Sequence, residues 1–264
     1  MLPNNRAWAT RVPYIDKEKE MEPFTNCTAI SHGWVWNIPL WSRLGTGYVY
    51  SDKYVDPQDA LEEYKQHLMS DKMICPRTRE QVDELEFKDI PMRVGIHQRT
   101  WVKNCVAIGL SAGFIEPLES NGLFSVHEFL FLLLKSLQRP AVTQWDIDVY
   151  NASTLNIFRN FSEFVALHYA LSIRNDSNYW IANGKRVYST GLDSLQPQSF
   201  QGFYDLQHIK MFTNQAPLNA GITRIAVGMN YMLLDSIKQQ KQEKRDKINH
   251  KDLFQKSFDT FEKK

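Results

Sequence analysis

Gly33-Trp34-Val35-Trp36-Asn37-Ile38-Pro39 places two indoles two residues apart and ends on a proline. Successive side chains of a strand point to opposite faces, so Trp34, Trp36 and Ile38 share one face and make a continuous apolar surface. Such a surface serves either as ordinary core packing or as the wall of a cavity for a flat ligand, and spacing alone does not choose between them. Around it, residues 6–51 are rich in β-branched and aromatic side chains, punctuated by Pro13, Pro23, Gly33, Pro39, Gly45 and Gly47. That pattern predicts several short antiparallel strands, the first over residues 6–13. Gly45-Thr46-Gly47 lacks a third glycine and an acidic partner, and reads as a bend in a strand.

Working outward, Asp56-Pro57-Gln58-Asp59 opens a helix: Asp56 can cap it, Pro57 suits its first turn, and Leu61, Tyr64 and Leu68 make its apolar stripe. Its end is expected near Ser70. Residues 77–89 are charged and read as a helix or loop, and residues 91–94 and 101–110 as strands. Cys105-Val106-Ala107-Ile108-Gly109-Leu110 is apolar at consecutive positions, which predicts a strand buried on both faces as in a layered α/β sheet. Residues 111–118 form a loop with Gly113 and Pro117, followed by a helix from Ser120 to about Leu137 with Leu123, Val126, Leu130 and Leu134 on one face. Beyond Pro140 the pattern is helical, with segments over about residues 146–173 and 218–246. The charged run at residues 238–247 reads as the solvated end of the last helix. The expectation is an α+β chain: a sheet-rich module over residues 1–137 and a mainly helical one over residues 138–264.

The 264 residues, 43% hydrophobic and 12% aromatic with 7 Trp, suffice for a sizeable core. Basic and acidic side chains, 31 against 30, nearly cancel, which argues against nucleic acid as a partner. Cys27, Cys75 and Cys105 are odd in number and contain no CxxC pair, so neither a disulfide framework nor a zinc site is indicated, and a reducing cytoplasm fits best. His32, His97 and His127 lack the spacing of metal ligands on helices, so no metal is expected. No signal-peptide layout or membrane-length apolar run is present, and no membrane association is expected.

Chemistry concentrates in Gly109-Leu110-Ser111-Ala112-Gly113-Phe114-Ile115-Glu116-Pro117-Leu118-Glu119-Ser120-Asn121-Gly122. A strand end, a loop and a helix start in succession leave backbone N–H groups without intrahelical acceptors, at the positive end of a helix dipole. The segment is either an anion site or a helix start capped by Glu119 or Ser120.

W-x-W-x-I-P after a glycine resembles the signature of the flavin-dependent tryptophan-type halogenases. Residues 2–13, Tyr48-Val49-Tyr50-Ser51, Trp101-Val102-Lys103-Asn104-Cys105 and residues 114–120 fall in the order that family shows, so the resemblance covers at least residues 2–185. It implies a partial FAD-dependent monooxygenase-like sheet module of mixed or antiparallel strands with a flavin-facing helix, followed by a helical substrate module. It also implies that Glu119 is the catalytic carboxylate and that Ser120, Asn121 and Gly122 contact flavin and halide, Asn121 standing where Thr is common. Trp34, Trp36, Ile38 and Pro39 would form the wall separating flavin from substrate. Ser172-Ile173-Arg174-Asn175-Asp176-Ser177-Asn178-Tyr179-Trp180-Ile181-Ala182-Asn183 is similar to a family stretch with an Arg, acidic residues and an aromatic-Trp pair, and reads as structural. Residues 188–212 match no tryptophan-anchoring pattern.

The activity so implied is oxidation of halide by reduced FAD and oxygen to hypohalous acid, which travels within the protein to an electron-rich, indole-like ring. The reduced FAD would come from a flavin reductase. No Gly-rich turn for a dinucleotide pyrophosphate is present, and the family's catalytic lysine belongs to a part this sequence lacks. The chain is therefore expected to be the C-terminal part of such an enzyme, to bind FAD weakly or not at all by itself, to be inactive alone, and to need the missing N-terminal part as a partner. Two other readings stand beside it: a non-catalytic aromatic-ligand-binding or interaction fragment derived from such an enzyme, and a flavin-dependent aromatic hydroxylase. The second is disfavoured by Leu110, where many flavin hydroxylases carry an Asp after the glycine.

Overall fold

A computed structural model describes residues 2–185 together with Ile225 and Met229. Apart from those two, residues 186–264 fall outside that description, and with them the helix expected over 218–246, the charged run and the 188–212 segment.

The sequence around the two indoles builds one antiparallel sheet. Its strands are Arg6–Val12 (β1), Asn26–Ile30 (β2), Gly33–Pro39 (β3), Leu44–Tyr50 (β4) and Lys88–Pro91 (β5), in spatial order β2-β3-β4-β1-β5, with the short helix Lys17–Glu20 (α1) between β1 and β2 in the chain. In its register Trp34 lies opposite Val49 and Ala29, and Trp36 opposite Gly47 and Cys27. Alternation divides the sheet between two cores. Val35, Tyr48 and Tyr50 pack on one side against Tyr64 and Leu68 of helix Pro57–Leu68 (α2). Ala7, Trp34 and Val49 pack on the other against Val165, Ala166 and Tyr169 of helix Gln144–Ala170 (α5) and Tyr179 and Trp180 of helix Asn178–Gly184 (α6). Burial on both faces accounts for the density of large side chains in β3 and β4.

α2 begins as the sequence predicts. Asp56 accepts a hydrogen bond from the Gln58 N–H at 2.9 Å, Pro57 occupies the first turn, and Ala60, Leu61, Tyr64 and Leu68 are buried. Thr78 and Gln81 form a reciprocal cap for the short helix Arg79–Asp83 (α3). Asp146 accepts hydrogen bonds from the backbone N–H and the hydroxyl of Thr143 at the start of α5, at 2.9 and 2.7 Å. Tyr179 and Trp180 in the 172–183 stretch are core residues.

Three expectations are corrected. Gly45-Thr46-Gly47 is not a bend: it runs straight through β4, and a Cβ on Gly47 would stand 2.2 Å from the Trp36 indole, so the missing side chain makes room for that ring. The apolar run at residues 105–110 is not a strand buried on both faces. It contributes only Cys105–Val106, paired with Trp101–Val102 in a two-residue hairpin, before a 3-10 turn at Gly109–Ser111. Left-handed backbone at Lys103 and Gly109 (φ 55° and 61°) ends the extended run at both sides, and Leu110 is 80% exposed. Its inner residues Val106, Ala107 and Ile108 instead join a third cluster around Trp101, Phe129 and Tyr150. Helix Asn121–Leu137 (α4) has the predicted span, but its contact with α5 runs through Phe129 and an edge-to-face pair of Phe124 and Phe161, while Leu123 and Leu134 are exposed. Among the described residues no helix is long and apolar enough to cross a membrane.

Candidate active site

The segment between Phe114 and α4 is a tight descent. Pro117–Glu119 forms a 3-10 turn, Ser120 takes left-handed backbone (φ 53°, ψ 33°), and α4 starts at Asn121. Ser120 stands at the capping position yet its side chain makes no cap bond, so the hydroxyl is not used in closing the helix. Asn121 Nδ2 is buried without an acceptor, and nothing lies within 4 Å of where a Gly122 side chain would begin.

Two adjacent residues of α5 hold the two carboxyl groups of Glu116-Pro117-Leu118-Glu119. His168 Nε2 lies 2.7 Å from Glu119 Oε1, in a contact with both side chains partly exposed. Tyr169 donates its phenolic hydrogen to Glu116 Oε1, and Glu116 is fully buried. The same phenol oxygen accepts from Asn4 Nδ2 at 2.9 Å and from Trp34 Nε1 at 3.1 Å, while Asn4 Oδ1 accepts from the Tyr179 hydroxyl at 2.9 Å. Burial pushes the Glu116 carboxyl up to about 8 against the opposing hydrogen bonds from Tyr169 and Asn4, so it is mostly neutral at pH 7.

The charge of Glu119 is felt at the strand pair that carries Trp36. Loss of solvation, and after it the negative charge of Glu119, push the Cys27 thiol up to about 11, and Cys27 is the residue opposite Trp36. The Trp34 and Trp36 ring centroids are 6.2 Å apart at 58°. Trp34 is 3% exposed and packs in the core beneath the site, whereas Trp36 is only partly buried at its edge. The fold thus brings Glu119 to the last turn of α5 through His168 and Trp34 to the same turn through Tyr169, with Ser120, Asn121 and Gly122 following Glu119 in the chain and Trp36 paired with Trp34. It does not bring all of the wall residues with them: Ile38 is exposed near the strand end, and Pro39 lines a shallow cleft with Asn37, Leu44 and Met73 on the opposite side of the sheet.

Sequence reading missed Asn4, His168 and Tyr169, and quoted Glu116 without giving it a role. Glu116 did leave a signal, a carboxylate following the apolar pair Phe114-Ile115, which demands a buried partner. The others left none, because each finds its partner roughly 50 residues or more away in the chain. Among the described residues no group of three or more His, Cys, Asp or Glu could hold a metal ion.

Residues 1–226 match the family model described as tryptophan halogenase. The chain is 36% identical over 191 residues to the 7-chloro-L-tryptophan 6-halogenase KtzR of Kutzneria sp. (strain 744), covering 72% of this chain and 35% of that protein. It is 38% identical over 182 residues to the tryptophan 6-halogenase SttH of Streptomyces toxytricini, covering 68% and 32%. The crystal structure of SttH superposes with a TM-score of 0.65 at 36% identity, over 73% of this chain and 37% of that one. The apo structure of VirX1 superposes with a TM-score of 0.72 at 34% identity, over 99% of this chain and 50% of that one. The chain spans about a third of the length of the curated relatives it matches. A model match over most of its length, together with these identities, places the chain in the flavin-dependent tryptophan halogenase family.

Proposed function

We propose that this chain carries the substrate-side part of a halogenase acting on an electron-rich, indole-like ring, with Glu119 as the base. The observation that carries the reading is the Glu119 carboxylate, held at 2.7 Å by His168 on the turn of α5 whose next residue, Tyr169, takes the indole N–H of Trp34. Electrophilic halogenation replaces a ring C–H by C–halogen and releases one proton. A positioned carboxylate with one engaged oxygen can accept that proton at the other as the ring regains aromaticity. Trp36, backed by the buried Trp34, presents an apolar surface that keeps water from the ring and favours a flat substrate.

The residues present fit only part of FAD. The unused Ser120 hydroxyl, the unpartnered Asn121 amide and the open Gly122 backbone at the start of α4 suit the ring end of the flavin and a halide. The 264 residues contain no glycine-rich turn for its pyrophosphate. Reduced FAD, supplied by a flavin reductase, would provide with oxygen and halide the oxidised halogen. In this proposal residues 1–137 are the remnant of the flavin-side sheet module and residues 138–264 belong to the substrate-side module. The pyrophosphate site and the catalytic lysine would come from further sequence acting as the partner of this chain, which would then bind FAD weakly and be inactive alone.

The test is Glu119→Gln, assayed with that partner sequence, reduced FAD, oxygen, chloride and tryptophan by mass spectrometry. Halogenated product should fall by about 10²-fold or more with flavin binding retained, and unchanged turnover removes Glu119 from the reaction. The missing pyrophosphate turn favours a second reading, an aromatic-ligand-binding fragment. Calorimetry separates the two: tryptophan binding with no product under any flavin supply supports the fragment.

A further inference from the structure

We infer that His168 is a positioning residue for Glu119, holding Oε1 so that Oε2 alone is presented to the reacting ring; this rests on the proposed role of Glu119 as base. The geometry begins with the other ring nitrogen. His168 Nδ1 lies 3.3 Å from the Phe164 carbonyl oxygen and 3.2 Å from that of Val165. Carbonyl oxygens only accept, so Nδ1 carries a hydrogen and the tautomer is set by the backbone of α5. The ring of Phe164 stands edge-to-face to the imidazole at 5.9 Å and 78°, which restricts the plane of the ring. Nε2 is thereby aimed at Glu119 Oε1, and a nitrogen–oxygen contact of 2.7 Å contains a hydrogen. Whichever atom carries that hydrogen, Oε1 is engaged.

A flexible glutamate on a 3-10 turn has several rotamers, and a base displaced by about 1 Å can lose 10²-fold in rate. His168 removes that freedom from a position anchored on a 27-residue helix. The neighbouring carboxyl cannot take the place of Glu119, because the next residue of the helix, Tyr169, already engages Glu116 inside the core. One turn of α5 therefore sorts two carboxyl groups three residues apart into a buried neutral one and a partly exposed one poised for proton transfer.

The first arm of the test needs no flavin. In the full chain labelled with [15N]histidine, and with His168→Gln used for assignment, Glu119→Gln should shift the Nε2 resonance of His168. Its Nδ1 resonance should remain that of a protonated nitrogen in both proteins. An Nε2 resonance that does not respond overturns the contact. In the second arm, the halogenation assay with the partner sequence, His168→Ala should lower kcat about 10²-fold with KM for the aromatic substrate unchanged. His168→Gln, whose amide donates from the same place, should restore most of it. An active His168→Ala beside an inactive Glu119→Gln, or a His168→Gln no better than His168→Ala, overturns the inference while leaving Glu119 as base. An active Glu119→Gln overturns the base reading itself and the catalytic consequence of the contact with it.

Discussion

Trp34 donates its indole N–H to the hydroxyl of Tyr169 at 3.1 Å, across 135 residues of sequence. This bond ties the sheet to α5, and the same hydroxyl collects Asn4 and Glu116, so one phenol oxygen satisfies three buried polar groups. Tyr169→Phe keeps the ring and its packing but leaves those groups short of partners. It should destabilise the chain by about 2–4 kcal/mol, measured by urea denaturation. A loss below about 0.5 kcal/mol would mean that the network contributes nothing beyond packing.

Glu116 makes stability fall with rising pH. Its carboxyl titrates near 8 in the fold against 4.5 when exposed, so the folded chain retains a proton that the unfolded chain gives up. The contribution is fully present below about 4.5, declines as pH rises through the window between the two values, and is gone above about 8. Glu116→Gln retains an acceptor for Tyr169 without the titration. The expected outcome is a pH dependence, across denaturation curves at pH 5.5, 7 and 8.5, that is flatter in the variant by a few kcal/mol. Parallel curves for the two proteins would assign the dependence elsewhere.

Gly47 and Gly45 should respond differently to alanine. A Cβ at Gly47 would meet the Trp36 ring at 2.2 Å and the Trp8 carbonyl oxygen at 2.6 Å, whereas one at Gly45 meets the Leu40 side chain at 3.4 Å and the Ile38 carbonyl oxygen at 3.7 Å. Gly47→Ala should cost about 1–3 kcal/mol and alter tryptophan fluorescence as Trp36 is displaced. Gly45→Ala should stay within about 0.5 kcal/mol. Equal effects would show that the Trp36 ring and the Trp8 backbone both yield freely.

The Cys27 thiol reports the charge of Glu119. With its titration near 11, roughly a thousandth of it is thiolate at pH 8. Glu119→Gln removes one of the two causes, so alkylation of Cys27 by iodoacetamide should accelerate in the folded variant, with Cys75 and Cys105 as internal references. An unchanged rate would place Glu119 too far from Cys27 to act on it.

Much of the local structure was legible because its causes are local. Asp56-Pro57 starts α2 by chemistry contained within three residues, and the alternation of Trp34, Val35 and Trp36 assigns faces before any partner is known. The run at residues 105–110 misled for a matching reason: consecutive apolar side chains describe burial, whereas the two left-handed residues that break the strand are settled by the hairpin and the turn into which it folds. Glycine spacing at Gly45 and Gly47 suggested a bend because the occupant of the vacated space, Trp36, lies on a neighbouring strand.

By itself, then, the sequence determined the family, through Trp34, Trp36, Ile38 and Pro39 and the order of the segments around them, and it determined that a carboxylate stands before the helix at Asn121. Only the tertiary structure decided how two carboxyl groups in one short motif differ. Glu116 is neutralised in the core by burial beneath Tyr169, and Glu119 is held at the edge by His168. That division depends on solvation and on partners brought in by α5 from about 50 residues away, and neither quantity is a property of the motif's own residues.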